Sequence, residues 1–108
     1  MKTMLAIASF MLVAGTASAQ TADTAAAEGL LKKSGCMKCH SVSADKDGPS
    51  FKKTAAKYKG KAVGEAALVK HITTGPTVKV DGKEERHDMI KSKDDREIKN
   101  VVAYILSR

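Results

Sequence analysis

The spacing of apolar residues along the chain predicts helices, and the C-terminal segment is the clearest case. Its apolar residues lie at i, i+3, i+4 and i+7: Ile98, Val101, Val102 and Ile105. This spacing places them on one face of a helix. Acidic residues at positions 94, 95 and 97 come first, where the helix dipole favours negative charge. The pattern therefore predicts an amphipathic helix over residues 94–108.

Three further segments are predicted to be helical. Apolar side chains recur at i, i+4 and i+7 between residues 51 and 58. Leu68 and Ile72 share one face within residues 65–75, and a glycine followed by a proline ends that segment. The run TAAAEGLLKKSG at residues 24–35 is rich in alanine and leucine and is closed by a glycine.

No alternation of apolar and polar residues is long enough to require a strand, although TVKV at residues 77–80 suits a short extended piece. The predicted fold class is therefore all-α with long loops. Its core is poor, because only 4% of the residues are aromatic and none is tryptophan. A single domain of this size is marginally stable unless something other than the core holds it together.

The N-terminal segment MKTMLAIASFMLVAGTASA has the three parts of a secretory signal peptide. One lysine precedes an uncharged apolar run from Met4 to Ala14, and the small residues Ala17–Ala19 follow. A membrane-spanning helix needs about 20 apolar residues, roughly twice this run, so stable membrane insertion is not expected. We predict a cleaved signal peptide over residues 1–19, one domain over residues 20–108, and a periplasmic location.

Both cysteines of the chain lie in CMKCH at residues 36–40, a motif with three interpretations. A redox-active Cys-x-x-Cys belongs to an α/β pattern, whereas the residues before Cys36 are predicted to be helical. A structural zinc site needs four ligands. The remaining candidates are His71 and His87, and their spacing of sixteen residues does not fit a compact zinc site. The third interpretation is Cys-x-x-Cys-His, the attachment sequence of c-type haem.

Haem attachment is the interpretation that agrees with export of the chain. The thiols of Cys36 and Cys39 would bond to the two vinyl groups of the porphyrin, and His40 would ligate the iron on the proximal side. One haem c would also complete the core, since each apolar side chain buried around it contributes roughly 1.5–3 kcal/mol. The residues predicted to enclose it are Leu31, Phe51, Leu68, Ile72, Ile98, Val102 and Ile105.

The chain resembles small bacterial class I cytochromes c of the c551 type. The matching segments are GLLKKSGCMKCH, DGPSFKKTAAKYKG, EAALVKHITTG and DDREIKNVVAYILSR, at residues 29–40, 47–60, 65–75 and 94–108. The resemblance implies the cytochrome c fold, with three to five helices around one haem. It also implies that the carbonyl of Pro49 accepts a hydrogen bond from the ring of His40 and so fixes the orientation of that ring. Only the loop at residues 76–93 matches poorly.

The sixth iron ligand stays open between two residues of that loop. Met89 is the only methionine of residues 20–108 outside CMKCH, and it lies just before the last helix, as the family's axial methionine does. The family usually has a proline where Ile90 follows, and counting back from Tyr104 places the ligand at Asp88. His87 is therefore the alternative, and an open site is a third possibility. A thioether would raise the reduction potential, whereas a second histidine would lower it.

The charge of the chain indicates the kind of partner. Removal of residues 1–19 takes away one lysine and no acidic residue, so the formal net charge falls from +7 to +6. Lysines near the attachment motif are Lys32, Lys33, Lys38, Lys46, Lys52, Lys53, Lys57, Lys59 and Lys61. Such a field speeds encounter with an acidic redox partner. Nucleic acid is not an expected partner, because the chain is exported and has few aromatic residues.

These patterns predict a monomeric electron-transfer protein that turns over no substrate. The alternative is a haem protein with an open or displaceable sixth site, which binds a diatomic gas or acts as a weak peroxidase. A further alternative is a docking module that passes electrons to one dedicated enzyme.

Overall fold

The computed structural model describes residues 21–108, which form four α-helices and one β-hairpin. The elements are α1 (Thr24–Lys33), α2 (Phe51–Tyr58), α3 (Gly64–Thr74), β1 (Thr77–Val80), β2 (Lys83–Arg86) and α4 (Asp95–Leu106), with a 3₁₀ turn at Cys36–Lys38 after α1. The predicted signal peptide, residues 1–19, lies outside the described residues. Within residues 21–108 we find no helix with the length and apolar character needed to cross a bilayer.

The predicted helices are all present, and their ends differ from the predicted ends by at most two residues. Asp94 caps α4, because its Oδ1 accepts hydrogen bonds from the backbone N–H groups of Arg96 and Glu97 at 2.8 and 3.3 Å. Ser50 caps α2, because its Oγ accepts from the backbone N–H of Lys53 at 3.1 Å. Such caps satisfy N–H groups that have no partner inside the helix.

Helix α4 lies at the centre of the core and packs against the other three helices. Its residues Val101 and Val102 are completely buried, and Tyr104 is 2% exposed. All the residues predicted to enclose a haem are buried except Ile72, which is partly buried at the edge of the core. Ile90 is also buried, although it belongs to no helix, because tertiary contacts rather than helical spacing bring it into the core.

Polar contacts fix the crossing of α1 and α4. The backbone N–H of Asp23 donates to Asn100 Oδ1 at 2.8 Å, and Asn100 Nδ2 donates to the Asp23 carbonyl at 3.0 Å. Tyr104 Oη donates to Glu28 Oε1 at 3.2 Å, and desolvation of the buried phenol raises the pKa of Tyr104. The first and last helices are therefore joined by hydrogen bonds as well as by apolar contacts.

The loop at residues 76–93 contains a hairpin that the sequence predicted only in part. Strands β1 and β2 pair antiparallel, and the turn between them has positive φ at Asp81 (50°) and Gly82 (76°). Two-residue turns of this kind match the twist of a hairpin. The extended piece TVKV is present as β1. The partner strand KEER was missed because all four residues are charged and exposed, so they show no alternation.

Candidate functional site

The attachment motif lies in the turn that follows α1. Gly35 adopts φ +75°, and this left-handed residue leads the chain from α1 into the 3₁₀ turn. The backbone N–H of His40 donates to the Cys36 carbonyl at 3.0 Å. Both thiols are free, with Cys36 half-buried and Cys39 exposed. Desolvation by burial raises the pKa of Cys36, whereas a redox-active dithiol has a lowered thiol pKa.

The side chain of His40 is held in one orientation by the loop that follows it. Its Nδ1 lies 2.7 Å from the Pro49 carbonyl oxygen, the contact that the family resemblance implies. Because a carbonyl can only accept, Nδ1 carries the proton in this bond and Nε2 is left available to a metal. The ring also stacks on Phe51, with centroids 5.6 Å apart and planes at 22°.

Gly48 makes room for the His40 ring. A Cβ atom at Gly48 would lie 2.5 Å from Cε1 and 2.9 Å from Nδ1 of that ring. The backbone of the loop therefore touches the imidazole directly, and no side chain fits between them. Sequence reasoning did not select Gly48 or the stacking of Phe51, although both lie in the quoted segment DGPSF.

Asp45 organises the loop that carries Pro49. Its carboxylate accepts hydrogen bonds from the backbone N–H of Ser50, at 2.9 Å, and from the ammonium group of Lys53. Both hydrogen bonds lower the pKa of Asp45, and the bond from Lys53 has the larger effect. The backbone N–H of Gly48 donates to the Cys39 carbonyl at 2.8 Å. The loop and the attachment motif thus form one hydrogen-bonded unit.

The candidate sixth ligands lie on the segment after the hairpin. The backbone N–H of His87 donates to the Pro76 carbonyl at 2.9 Å, and the N–H of Ile90 donates to the Ile72 carbonyl at 2.8 Å. The segment is therefore fastened at both ends to the region where α3 finishes. His87 is half-buried, whereas Met89 is 50% exposed.

The ring of His87 also contacts a second histidine, His71 of α3. Their ring centroids are 4.4 Å apart, and the planes are inclined at 66°. Burial and the nearby His87 lower the pKa of His71. The imidazole of His71 therefore packs as a partly buried side chain against a candidate iron ligand.

The structure brings His40 and His87 together from segments 47 residues apart. Their ring centroids are 6.1 Å apart, and the planes are inclined at 52°. At this separation the two imidazoles could bind one metal ion, given metal–nitrogen bonds of about 2 Å. His87 Nδ1 lies 2.7 Å from the Asp88 carbonyl oxygen, so its Nε2 is also available. His40 and His87 are therefore residues that could hold a haem iron, one from each segment.

Other metal sites are not built into this part of the chain. Within residues 21–108, no group of three or more histidine, cysteine, aspartate or glutamate side chains is arranged to hold a metal ion.

Comparison with known proteins gives matches over most of the described residues. The family model described as Cytochrome c matches residues 24–108. Cytochrome c-551 of Pseudomonas aeruginosa is 40% identical over 65 residues, which are 60% of this chain and 62% of that protein. Cytochrome c-551 of Allochromatium vinosum is 48% identical over 46 residues, which are 43% and 49% of the two chains. The chain therefore spans between about half and three fifths of these curated relatives.

Solved structures match over a larger share of their length. The class 1 cytochrome MtoD of Sideroxydans lithotrophicus ES-1 superposes with a TM-score of 0.77 and 48% identity, covering 81% of this chain and 97% of that chain. Wild-type cytochrome c552 of Nitrosomonas europaea superposes with a TM-score of 0.58 and 26% identity, covering 74% and 96%.

Proposed function

Because the chain belongs to the cytochrome c family, we propose that it is an electron carrier that moves one electron at a time through a single haem c. The family match confirms the predicted resemblance and the predicted cytochrome c fold, and covalently attached haem c is the family's cofactor. The observation that carries the proposal is the 2.7 Å contact between His40 Nδ1 and the Pro49 carbonyl. This contact would orient the imidazole of His40 and leave its Nε2 free to bind the haem iron.

We assign the following roles to the residues of the site. Cys36 and Cys39 hold the haem through thioether bonds, and His40 binds the iron through Nε2. Pro49 keeps the proton on His40 Nδ1, which raises the basicity of the ring toward the metal. When bound, haem c supplies the couple between Fe(II) and Fe(III).

The sixth ligand comes from the segment His87–Met89. Met89 is the ligand that the family resemblance implies, and His87 is the one whose ring lies 6.1 Å from that of His40. The two ligands are told apart by the ferric spectrum. Ligation by Met89 gives a sulfur-to-iron band in the near infrared that Met89→Ala removes and His87→Ala leaves. Ligation by His87 gives low-spin ferric iron without that band. His87→Ala then changes the low-spin spectrum, whereas Met89→Ala leaves it as it was.

We further propose that the carrier is a periplasmic monomer that docks to acidic partners. Between residues 32 and 61 there are nine lysines and two aspartates. In the described part of the chain only Lys53 and Lys99 form ion pairs with acidic side chains, so most of this charge faces solvent. A field of one sign accelerates encounter with a partner of opposite sign.

The full chain, produced in a host that attaches haem c to exported proteins, tests the proposal. We expect periplasmic recovery, a mature N-terminus at Gln20, one covalent haem per chain by mass spectrometry, and a reversible one-electron redox titration. A chain without covalent haem would overturn the proposal. A ferric high-spin spectrum together with tight binding of carbon monoxide by the ferrous protein would favour the gas-binding alternative.

A further inference from the structure

The corner between α3 and the hairpin has a conformation that few residues adopt. Helix α3 ends at Thr74, and Gly75 follows with φ 60° and ψ 62°, in the left-handed region. A left-handed residue is the common way to end a helix and reverse the chain, and glycine adopts this conformation without a steric penalty. Helix termination explains why a glycine suits this corner. It does not explain what lies against it.

The space beside Gly75 is filled by the segment that carries the candidate sixth ligands. A Cβ atom at Gly75 would lie 2.8 Å from the carbonyl oxygen of His87 and 3.1 Å from Cγ of Met89. A third neighbour, Nε of Arg86, would be at 3.3 Å. The carbonyl oxygen of His87 belongs to the backbone, so it can move away only if the whole segment moves.

The backbone contacts around the corner make that segment dependent on it. The N–H of His87 donates to the carbonyl of Pro76, and Nη2 of Arg86 donates to the carbonyl of Thr74 at 3.3 Å. These bonds flank Gly75 on both sides. Met89 is itself 50% exposed, so its own side chain contributes little burial to hold the segment, and the buried residue that anchors this stretch is Ile90, directly after it.

We propose that Gly75 is the positioning residue for the sixth iron ligand. Its missing side chain lets the His87–Met89 segment rest against the end of α3, so that the ligand stays at the iron when other ligands compete. This inference rests on the proposed function, because it needs a haem whose sixth ligand comes from that segment. It holds for either ligand, since a Cβ atom at position 75 would meet both the backbone of His87 and the side chain of Met89.

The chain contains matched controls for backbone strain. Gly60 and Gly82 also have positive φ, 72° and 76°, but a Cβ atom at either would meet nothing within 4 Å. Alanine at these two positions therefore adds left-handed strain without contact, whereas alanine at Gly75 adds strain and contact. Gly75→Asn adds contact with little strain, because asparagine tolerates the left-handed region but still carries a Cβ atom.

The experiment titrates the ferric holoproteins with cyanide, which competes for the sixth position, and follows the change in the visible spectrum. Cyanide changes that spectrum whether it displaces the thioether of Met89 or the imidazole of His87. We expect Gly75→Ala and Gly75→Asn to lower the cyanide concentration at half displacement by about tenfold, and Gly60→Ala and Gly82→Ala to change it by less than twofold. Thermal unfolding of the Gly60→Ala and Gly82→Ala proteins measures the effect of left-handed strain alone, and Gly75→Ala should lose more stability because contact is added to that strain.

Two results would overturn the inference. If both Gly75 variants bind cyanide like the unmodified protein, the corner only ends the helix, and the proposed electron carrier stands. If the unmodified holoprotein is already high-spin, no ligand from the segment is bound, and the proposed sixth ligand falls together with the role of Gly75. Should Gly75→Ala fail to fold, Gly75→Asn decides between these results.

Discussion

The two sides of the haem site are held in different ways. On the proximal side, the ring of His40 is hydrogen-bonded to Pro49, stacked on Phe51 and touched by the backbone of Gly48, all within twelve residues along the chain. On the distal side, the segment His87–Met89 is fastened to the end of α3 and has a half-exposed methionine. His40, the proposed proximal ligand, is thus fixed by its own loop, whereas the segment proposed to supply the distal ligand depends on how α3 and the hairpin meet. We expect ligand strength to vary mainly on the distal side.

Removal of both attachment thiols on the proximal side should have the largest effect, because the haem can then no longer be attached to the chain. In Cys36→Ser combined with Cys39→Ser we expect no covalent haem and loss of most of the helical signal in far-ultraviolet circular dichroism. The physical reason is that a core with so few aromatic residues needs the apolar surface of the haem, and small domains are stable by only a few kcal/mol.

The matched change on the distal side is Met89→Ala, which should keep both the covalent haem and the helical signal. If the double serine variant is a well-folded protein without haem, the haem is not needed as part of the core.

Gly48→Ala should weaken the proximal side without removing it. Its Cβ would lie 2.5 Å from the His40 ring, so the ring or the loop must shift, and overpacking of this kind costs about 1–3 kcal/mol. Denaturant unfolding of the holoprotein measures the loss. Gly29→Ala is the control, because nothing lies within 4 Å of its Cβ and alanine favours a helix interior by about 0.5–1 kcal/mol. A Gly48→Ala protein as stable as the Gly29→Ala protein would show that the loop yields easily.

Charge also differs between the two sides, and this difference can be tested. The loop at residues 76–93 has five basic and four acidic residues, in contrast to the lysine-rich proximal region. Lys38→Gln on the proximal side should lower the rate of electron transfer to an acidic partner roughly twofold at low salt, and the loss should fade as salt screens the field. Lys83→Gln, in the hairpin, removes the same charge and should change the rate less. Equal effects in stopped-flow measurements would mean that the partner does not prefer the proximal side.

The smallest expected effect concerns pH and the proximal loop. Hydrogen bonds from Lys53 and Ser50 hold the pKa of Asp45 below its ordinary value of 3.8. A carboxylate with a lowered pKa stabilises the folded state above the unfolded pKa, and that stability is lost as pH falls through the folded pKa. Asp45→Asn should therefore lower the thermal midpoint slightly at neutral pH, and the difference should shrink below about pH 4.

Asp47→Asn serves as the control for Asp45, since among residues 21–108 the side chain of Asp47 makes no hydrogen bond or ion pair. The thermal midpoints of the Asp45→Asn protein and the unmodified protein are compared in acid and at neutral pH. If their difference is the same at both, Asp45 acts through something other than its charge.

The proximal side could be predicted from sequence because it is local. The residues of CMKCH follow one another, and the loop with Pro49 begins a few residues later, so short-range spacing carries the information. The helices were predicted for the same reason, since their apolar residues repeat along the chain. Each of these features depends on residues that are close together in the sequence.

The distal side could not be fully predicted because its contacts are made through space. Strand β2 is entirely charged, so it has no pattern of its own and exists because β1 pairs with it. Gly75 and Met89 lie on either side of the hairpin along the chain, yet a Cβ atom at Gly75 would be 3.1 Å from Cγ of Met89. A glycine before a proline indicates the end of a helix, but it does not indicate which segment will rest against it.

The hairpin has one consequence for how this protein can change during evolution. Its base is closed by the bond from His87 N–H to the Pro76 carbonyl, and its turn at Asp81 and Gly82 points away into solvent. Insertions, deletions or new side chains at the turn leave the base where it is. Descendants of this chain can therefore acquire a different surface at the turn while the segment at the base, which carries the proposed iron ligands, keeps its position.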